Sequence, residues 1–316
     1  MREAVFIKQN TEKWKQYEED RTQNPDELAE QFIELTDDLS YARTFYPESP
    51  VTRYLNTLAT RFHQKIYANR KEKSNRLFRF WAYELPFLFY NSQRQLLYAF
   101  LFFFAATVLG TVSSLYDESF VRLILGDGYV NMTLDNIQKG DPMAVYKSQQ
   151  MTVSFLTITI NNIRVAFAAF VYGIVLSVGT VYVLFQNGVM LGAFFTFLFQ
   201  QGVIRDALLT VWIHGTLEIS AIIIAGCAGL TIGNSILFPK TYSRWESFQR
   251  GARQGMKIAI GLMPIFITAG FLEGFVTRQP LYPIVSILII LLSACFILWY
   301  FVWYPIQLNR KAQFNR

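Results

Sequence analysis

Residues Trp212–Leu237 read WIHGTLEISAIIIAGCAGLTIGNSIL. The stretch exceeds the roughly 20 predominantly apolar residues that an α-helix needs to cross a bilayer. It therefore reads as a membrane span, and a helical one, because a helix satisfies its own backbone in hydrocarbon. Near its start stand His214 and Glu218, four residues apart and so on one helical face. A titratable pair inside an apolar span is costly, and such pairs face partners or water rather than lipid.

Five further apolar runs surround it. Over 316 residues, 52% hydrophobic and 16% aromatic, the apolar positions gather into runs instead of an amphipathic spacing. Spans are expected at Leu96–Tyr116, Arg164–Leu184, Val189–Gln201, Trp212–Leu237, Ile258–Val276 and Tyr282–Tyr304. The third is short for a crossing. Met1 to Glu34 are charged and polar with no apolar core or small-residue cleavage site, so the first span is expected to be its own insertion signal.

Lysine and arginine bias near span ends sets the expected orientation. Lys65, Arg70, Lys71, Lys73, Arg76 and Arg79 stand against Glu72, and Lys240, Arg244, Arg250, Arg253 and Lys257 against Glu246; both segments are expected in the cytoplasm. Segment 117–150 carries more acids than bases and is expected outside. Six spans with both termini inside fit this pattern, in a bacterial inner membrane. The net charge of +6 is then explained by topology and lipid headgroups, and no nucleic acid is expected as a partner. Cys227 and Cys295 sit in apolar runs, where a thiol behaves as a small hydrophobe. No CxxC pair, Walker glycine loop, GxSxG elbow or HExxH occurs, which disfavours an enzyme.

Residues 1–91 read as a cytoplasmic helical domain. A first helix is expected over Val5–Asp20; Asn24-Pro25-Asp26 gives a cap signal for a second over Glu27–Tyr46, striped by Leu28, Phe32, Leu35, Leu39 and Ala42. A third starts after Pro47-Glu48-Ser49-Pro50 and carries Tyr54, Leu58, Phe62 and Ile66. Phe78–Phe89, aromatic and broken by Pro86, reads as an interfacial elbow. Residues 92–306 form the six-span membrane domain and 307–316 a basic cytoplasmic tail. Ser148–Asn161 is Thr-rich and is expected to be re-entrant or interfacial.

The run Ala42-Arg43-Thr44-Phe45-Tyr46-Pro47-Glu48-Ser49-Pro50, then Arg53-Tyr54-Leu55-Asn56, Arg61-Phe62-His63, Asn161-Asn162-Ile163-Arg164-Val165-Ala166, Gln186-Asn187-Gly188, His214-Gly215-Thr216-Leu217-Glu218 and Ala225-Gly226-Cys227-Ala228-Gly229 together resemble the stage II sporulation protein M family of bacterial membrane proteins. The resemblance covers most of the chain. It implies the polytopic architecture and, from a member similar to a scaffold that recruits peptidoglycan-degrading partners during engulfment, a scaffold role.

With this topology Asn161, Asn162, Arg164, His214, Glu218 and Glu273 fall in the outer third of the membrane as one polar cluster, in which Arg164 is expected to pair with Glu218 or Glu273. A hydrogen-bond and ion-pair network that fixes helix packing is the favoured reading. A proton or substrate pathway past Arg164, His214, Glu218 and Glu273 is the alternative. A metal site is the third, with His214 and Glu218 as ligands and Glu273 or Asn162 completing the set; no cofactor is expected, zinc being the exception that this third reading carries. His63 is expected to make a packing or partner contact. Gly226, Gly229 and Gly233, with Ala225, line one face of the fourth span for close helix packing, within the chain or in a homodimer. Asn187-Gly188 reads as a tight turn, and Gly261 with Pro264 as a bend in the fifth span. A non-enzymatic inner-membrane scaffold for envelope or cytoplasmic proteins is the leading expectation. A transporter or conduit comes next, and a metal-dependent intramembrane hydrolase last.

Overall fold

The computed structural model describes residues 2–19, 24–67, 76–147 and 150–314. Asp20, basic residues Arg70, Lys71 and Lys73 with Glu72, Ser148 of the Thr-rich stretch and Arg316 of the tail lie outside these. No strand occurs among the described residues. The chain divides into two compact units, residues 1–76 and 77–316, so the aromatic elbow belongs with the membrane unit rather than with the N-terminal helices.

The N-terminal unit is three helices: α1 (Glu3–Glu19), α2 (Pro25–Phe45) and α3 (Pro50–Tyr67). Asn24 caps α2 by accepting from the Asp26 amide at 3.2 Å, with Pro25 in the first turn where its missing N–H costs nothing. The apolar stripes close on each other: Phe6 and Trp14 of α1, Leu28, Leu35, Leu39 and Ala42 of α2, and Val51, Leu55, Leu58, Ala59 and Phe62 of α3 are all buried. Polar ties cover this core. The Trp14 indole donates to Asp38 at 2.8 Å, Lys13 pairs with the same carboxylate at 2.7 Å, and the Tyr17 hydroxyl donates to Glu34 at 2.6 Å. His63 is exposed, its ring 6.1 Å from that of Phe32.

Six helices of the second unit are long and apolar enough to cross a membrane: Gln93–Tyr116, Met151–Ile174, Val178–Gln200, Ile204–Leu237, Arg244–Val276 and Pro283–Arg310. The fourth is the most buried and the sixth the least, so the fourth is the post around which the others pack. The second and third spans differ from expectation. Met151–Val171 is one continuous helix, so the Thr-rich stretch forms the first half of the second crossing instead of an interfacial piece. The third crossing is full length, and its turn from the second lies at Val175–Ser177, where Leu176 and Ser177 adopt left-handed backbone (φ 49° and 69°).

Asn187 and Gly188 are accordingly not a turn; both lie within the third span. Asn187 returns its amide to the Val183 carbonyl at 2.8 Å, and Gly188 lets the first span approach: a Cβ there would meet the Phe103 carbonyl oxygen at 2.6 Å and the Ala106 Cβ at 2.7 Å. The small residues of the fourth span pack inside the chain. Gly226 faces Leu184, Gly229 faces Ala169 and Thr180, and Gly233 faces Ser177. In the fifth span the helix breaks at Leu262, between Gly261 and Pro264, and Gly270 and Gly274 seat against Thr159 and Phe155 of the second span.

One face of the elbow packs into the bundle, while Phe78, Tyr83 and Phe87 stay exposed. Leu85 and Phe89 are fully buried in the bundle core, Phe89 edge-on to Phe301 at 4.8 Å. The Trp81 and Ala82 carbonyls accept from the Tyr300 and Tyr304 hydroxyls at 2.6 and 2.9 Å. Glu84 pairs with Lys257. Pro86 is tolerated because it stands in the first turn of Leu85–Asn91. Segment 117–147 folds as helices Glu118–Leu125 and Asp127–Gln138 and a short turn at Ala144–Lys147, joined at Gly126 and Gly140, both with positive φ.

Candidate functional site

Three spans supply a polar cluster on the side of the bundle that segment 117–147 covers. His214 and Glu218 come from one face of the fourth span, Asn162 from the second and Glu273 from the last turns of the fifth. Those last turns are not α-helical. Leu272–Val276 is a π turn, closed by the Thr277 amide donating to the Leu272 carbonyl at 2.8 Å, and such widened turns recur at functional sites. It presents Glu273 and Thr277 to the same imidazole: Thr277 Oγ1 is 3.1 Å from His214 Nδ1, and Glu273 Oε2 is 3.7 Å from Nε2.

The ring is held on its other sides as well. His214 is 3% exposed, and Tyr146 from the covering segment meets it edge-on with centroids 5.5 Å apart. Burial first, and the nearby Glu273 charge second, push the Tyr146 phenol well above its usual value, so it stays an O–H donor at any physiological pH. Glu218 Oε1 accepts from the Asn162 amide at 2.5 Å. One donor atom each from His214, Glu218 and Glu273 lies within 4.8 Å of the others, and no second group of three such residues occurs among the described residues.

The cluster opens on a cavity of about 400 Å³. Asn161, Asn187, Tyr129 and Tyr146 add polar atoms to its wall, and Phe103, Met190, Phe194 and Ile222 line the rest. A mostly apolar cavity with a few convergent polar groups is the usual form of a small-ligand site. A second cavity of about 550 Å³, lined by Asp141, Asp206, Thr277 and Arg278, shares Thr277 with the cluster.

Arg164 is not part of this cluster. It is exposed and makes no ion pair with Glu218 or Glu273 among the described contacts; three residues beyond Asn161 on the helix, it is turned away from the cavity that Asn161 and Asn162 line. The cation whose charge reaches Glu273 is Arg278, five residues further along the chain. Tyr146, Thr277 and Arg278 were not legible as site residues. Only the position of Thr277-Arg278, directly after the fifth apolar run, could have drawn attention to them.

Comparison with known proteins places the membrane unit. The profile of Stage II sporulation protein M matches residues 99–278, and that of a domain of unknown function, DUF8413, matches residues 4–68. No curated protein and no solved structure matches the chain.

Proposed function

This chain belongs to the stage II sporulation protein M family, and from that premise we propose that it is a non-enzymatic scaffold of the bacterial cytoplasmic membrane. In this reading both termini and the basic start of the fifth span lie in the cytoplasm, as the exposed Arg244, Arg250 and Arg253 favour. The observation that carries it is the two-unit build. The N-terminal helices complete a core of their own around Trp14, Leu35, Leu55 and Phe62, as a docking module for protein partners does. Segment 117–147, whose helix Glu118–Leu125 is capped by Asp117, offers a second surface to envelope partners.

A photo-crosslinking residue at Ile33 or Phe45, both large apolar side chains more than half exposed, tests this in native membranes. Discrete crosslinked protein partners are expected at both positions, and co-purification of the same partners should be lost when residues 2–76 are deleted from a chain that still inserts. Undiminished co-purification with the deletion variant, or no protein crosslink at either position, refutes the docking role of the N-terminal unit.

The cavity beside His214 and Glu218 favours a second reading, a conduit or a metal-dependent hydrolase. The double variant His214→Gln with Glu218→Gln separates the two. Partner capture survives in a scaffold, whereas transport or hydrolysis by a well-folded protein is abolished.

A further inference from the structure

We propose that His214, Glu218 and Glu273 bind one divalent transition-metal ion of the zinc class within the membrane unit. The inference does not depend on the scaffold reading. One imidazole and two carboxylates form a three-ligand set that leaves a coordination position open, as zinc sites with an exchangeable ligand do. Their spacing suits an ion. Three atoms within 4.8 Å of one another surround a point no more than about 2.8 Å from each (4.8 Å divided by √3), so shifts of under about 1 Å bring all three to the 2.0–2.2 Å of zinc–nitrogen and zinc–oxygen bonds.

The partners of these ligands are already in place. Thr277 occupies His214 Nδ1, which leaves Nε2 turned toward Glu273. Asn162 holds Glu218 through Oε1, and the Glu218 side chain also meets that of Glu273, so an ion would take the place of this carboxyl–carboxyl contact. Outer-shell hydrogen bonds of this kind orient metal ligands and select the coordinating atom. Charge points the same way. Two carboxylates face one another here, and a dication balances both, whereas Arg278 supplies a single positive charge on the Glu273 side. All three ligands line the 400 Å³ cavity, so the open position faces space that holds water or a small oxygen ligand.

The test uses purified full-length protein in detergent, stripped with a chelator and titrated with Co²⁺, then with Zn²⁺. One Co²⁺ per chain, with the visible bands of a four- or five-coordinate ion that Zn²⁺ abolishes, is expected. His214→Gln and Glu273→Gln should each lose stoichiometric binding, and Asn162→Ala should weaken it on the order of 10- to 100-fold. Glu246→Gln, exposed at the start of the fifth span, should bind like the wild type. Monodisperse wild-type protein that takes up no Co²⁺ at micromolar free ion overturns the proposal, and so do folded His214→Gln and Glu273→Gln variants that bind as the wild type does. Should those variants not fold, the wild-type titration decides alone.

Discussion

Two glycines of the fourth span, Gly215 and Gly229, are expected to answer the same substitution in opposite ways. A Cβ at Gly215 would meet nothing nearer than Val211 Cγ1 at 3.7 Å. One at Gly229 would stand 2.2 Å from the Ala169 carbonyl oxygen and 2.3 Å from Thr180 Oγ1. Relief of those contacts needs about 1 Å of separation between the fourth span and the second and third, and forced overpacking costs about 1–3 kcal/mol. The shift also pulls on the buried bond from Thr180 Oγ1 to the Ala169 oxygen at 2.7 Å, whose loss leaves two buried polar atoms unmet at about 1–3 kcal/mol. Alanine returns up to about 1 kcal/mol of helix propensity at either site. Gly215→Ala should therefore be neutral or slightly stabilising, and Gly229→Ala destabilising by about 1–6 kcal/mol net. Reversible unfolding in mixed micelles, followed by tryptophan fluorescence, measures both. Equal stability of the two variants would refute the packing of these three spans.

Leu176→Gly should be neutral or stabilise by up to about 1 kcal/mol, because a left-handed leucine costs about 1–2 kcal/mol and this side chain is 49% exposed; chemical unfolding of the variant beside the wild type measures it. Asp117 caps helix Glu118–Leu125 by accepting from the Ser119 hydroxyl at 2.7 Å and its amide at 2.8 Å, which holds its pKa below the ordinary 3.8. A depressed folded pKa means a contribution complete above the ordinary value and lost as pH falls through the lowered one. Exchange protection of the Ser119 amide should thus hold at neutral pH and fall only in acid, while Asp117→Asn should show no such step. For orientation, a cysteine at Lys139 should react with an impermeant thiol reagent from outside the cell and one at Arg250 should not; the reverse pattern would invert the topology.

Legibility in the sequence followed the range of the interactions. The N-terminal helices could be placed because caps and stripes act within a few residues, as at Asn24 and along Leu28, Leu35 and Leu39. Apolar runs were counted correctly as six spans for the same reason. The hairpin between the second and third was missed because Leu176 carries no turn chemistry and Ser177 only a weak form of it within an apolar run, while Asn187-Gly188 carries it inside a helix, where glycine serves a crossing instead. At the cluster, the i, i+4 spacing of His214 and Glu218 could be read directly. Their meeting with Asn162, Tyr146 and Thr277 spans 56 to 68 positions of chain and depends on packing that no local pattern encodes. Arg164 was expected to pair with these carboxylates, but the fold leaves it exposed and brings the charge of Arg278 to Glu273.

A π turn is in effect an α-helix that has accepted one extra residue. Deletion of one of residues 274–276 therefore lets the segment revert to plain α-helix with both flanks in register, so Thr277 can keep its place at His214. The same deletion in an uninterrupted helix such as the fourth span would rotate every later side chain by about 100°. The widened turn is thus a point at which chain length can change by one residue while the groups around the imidazole stay together.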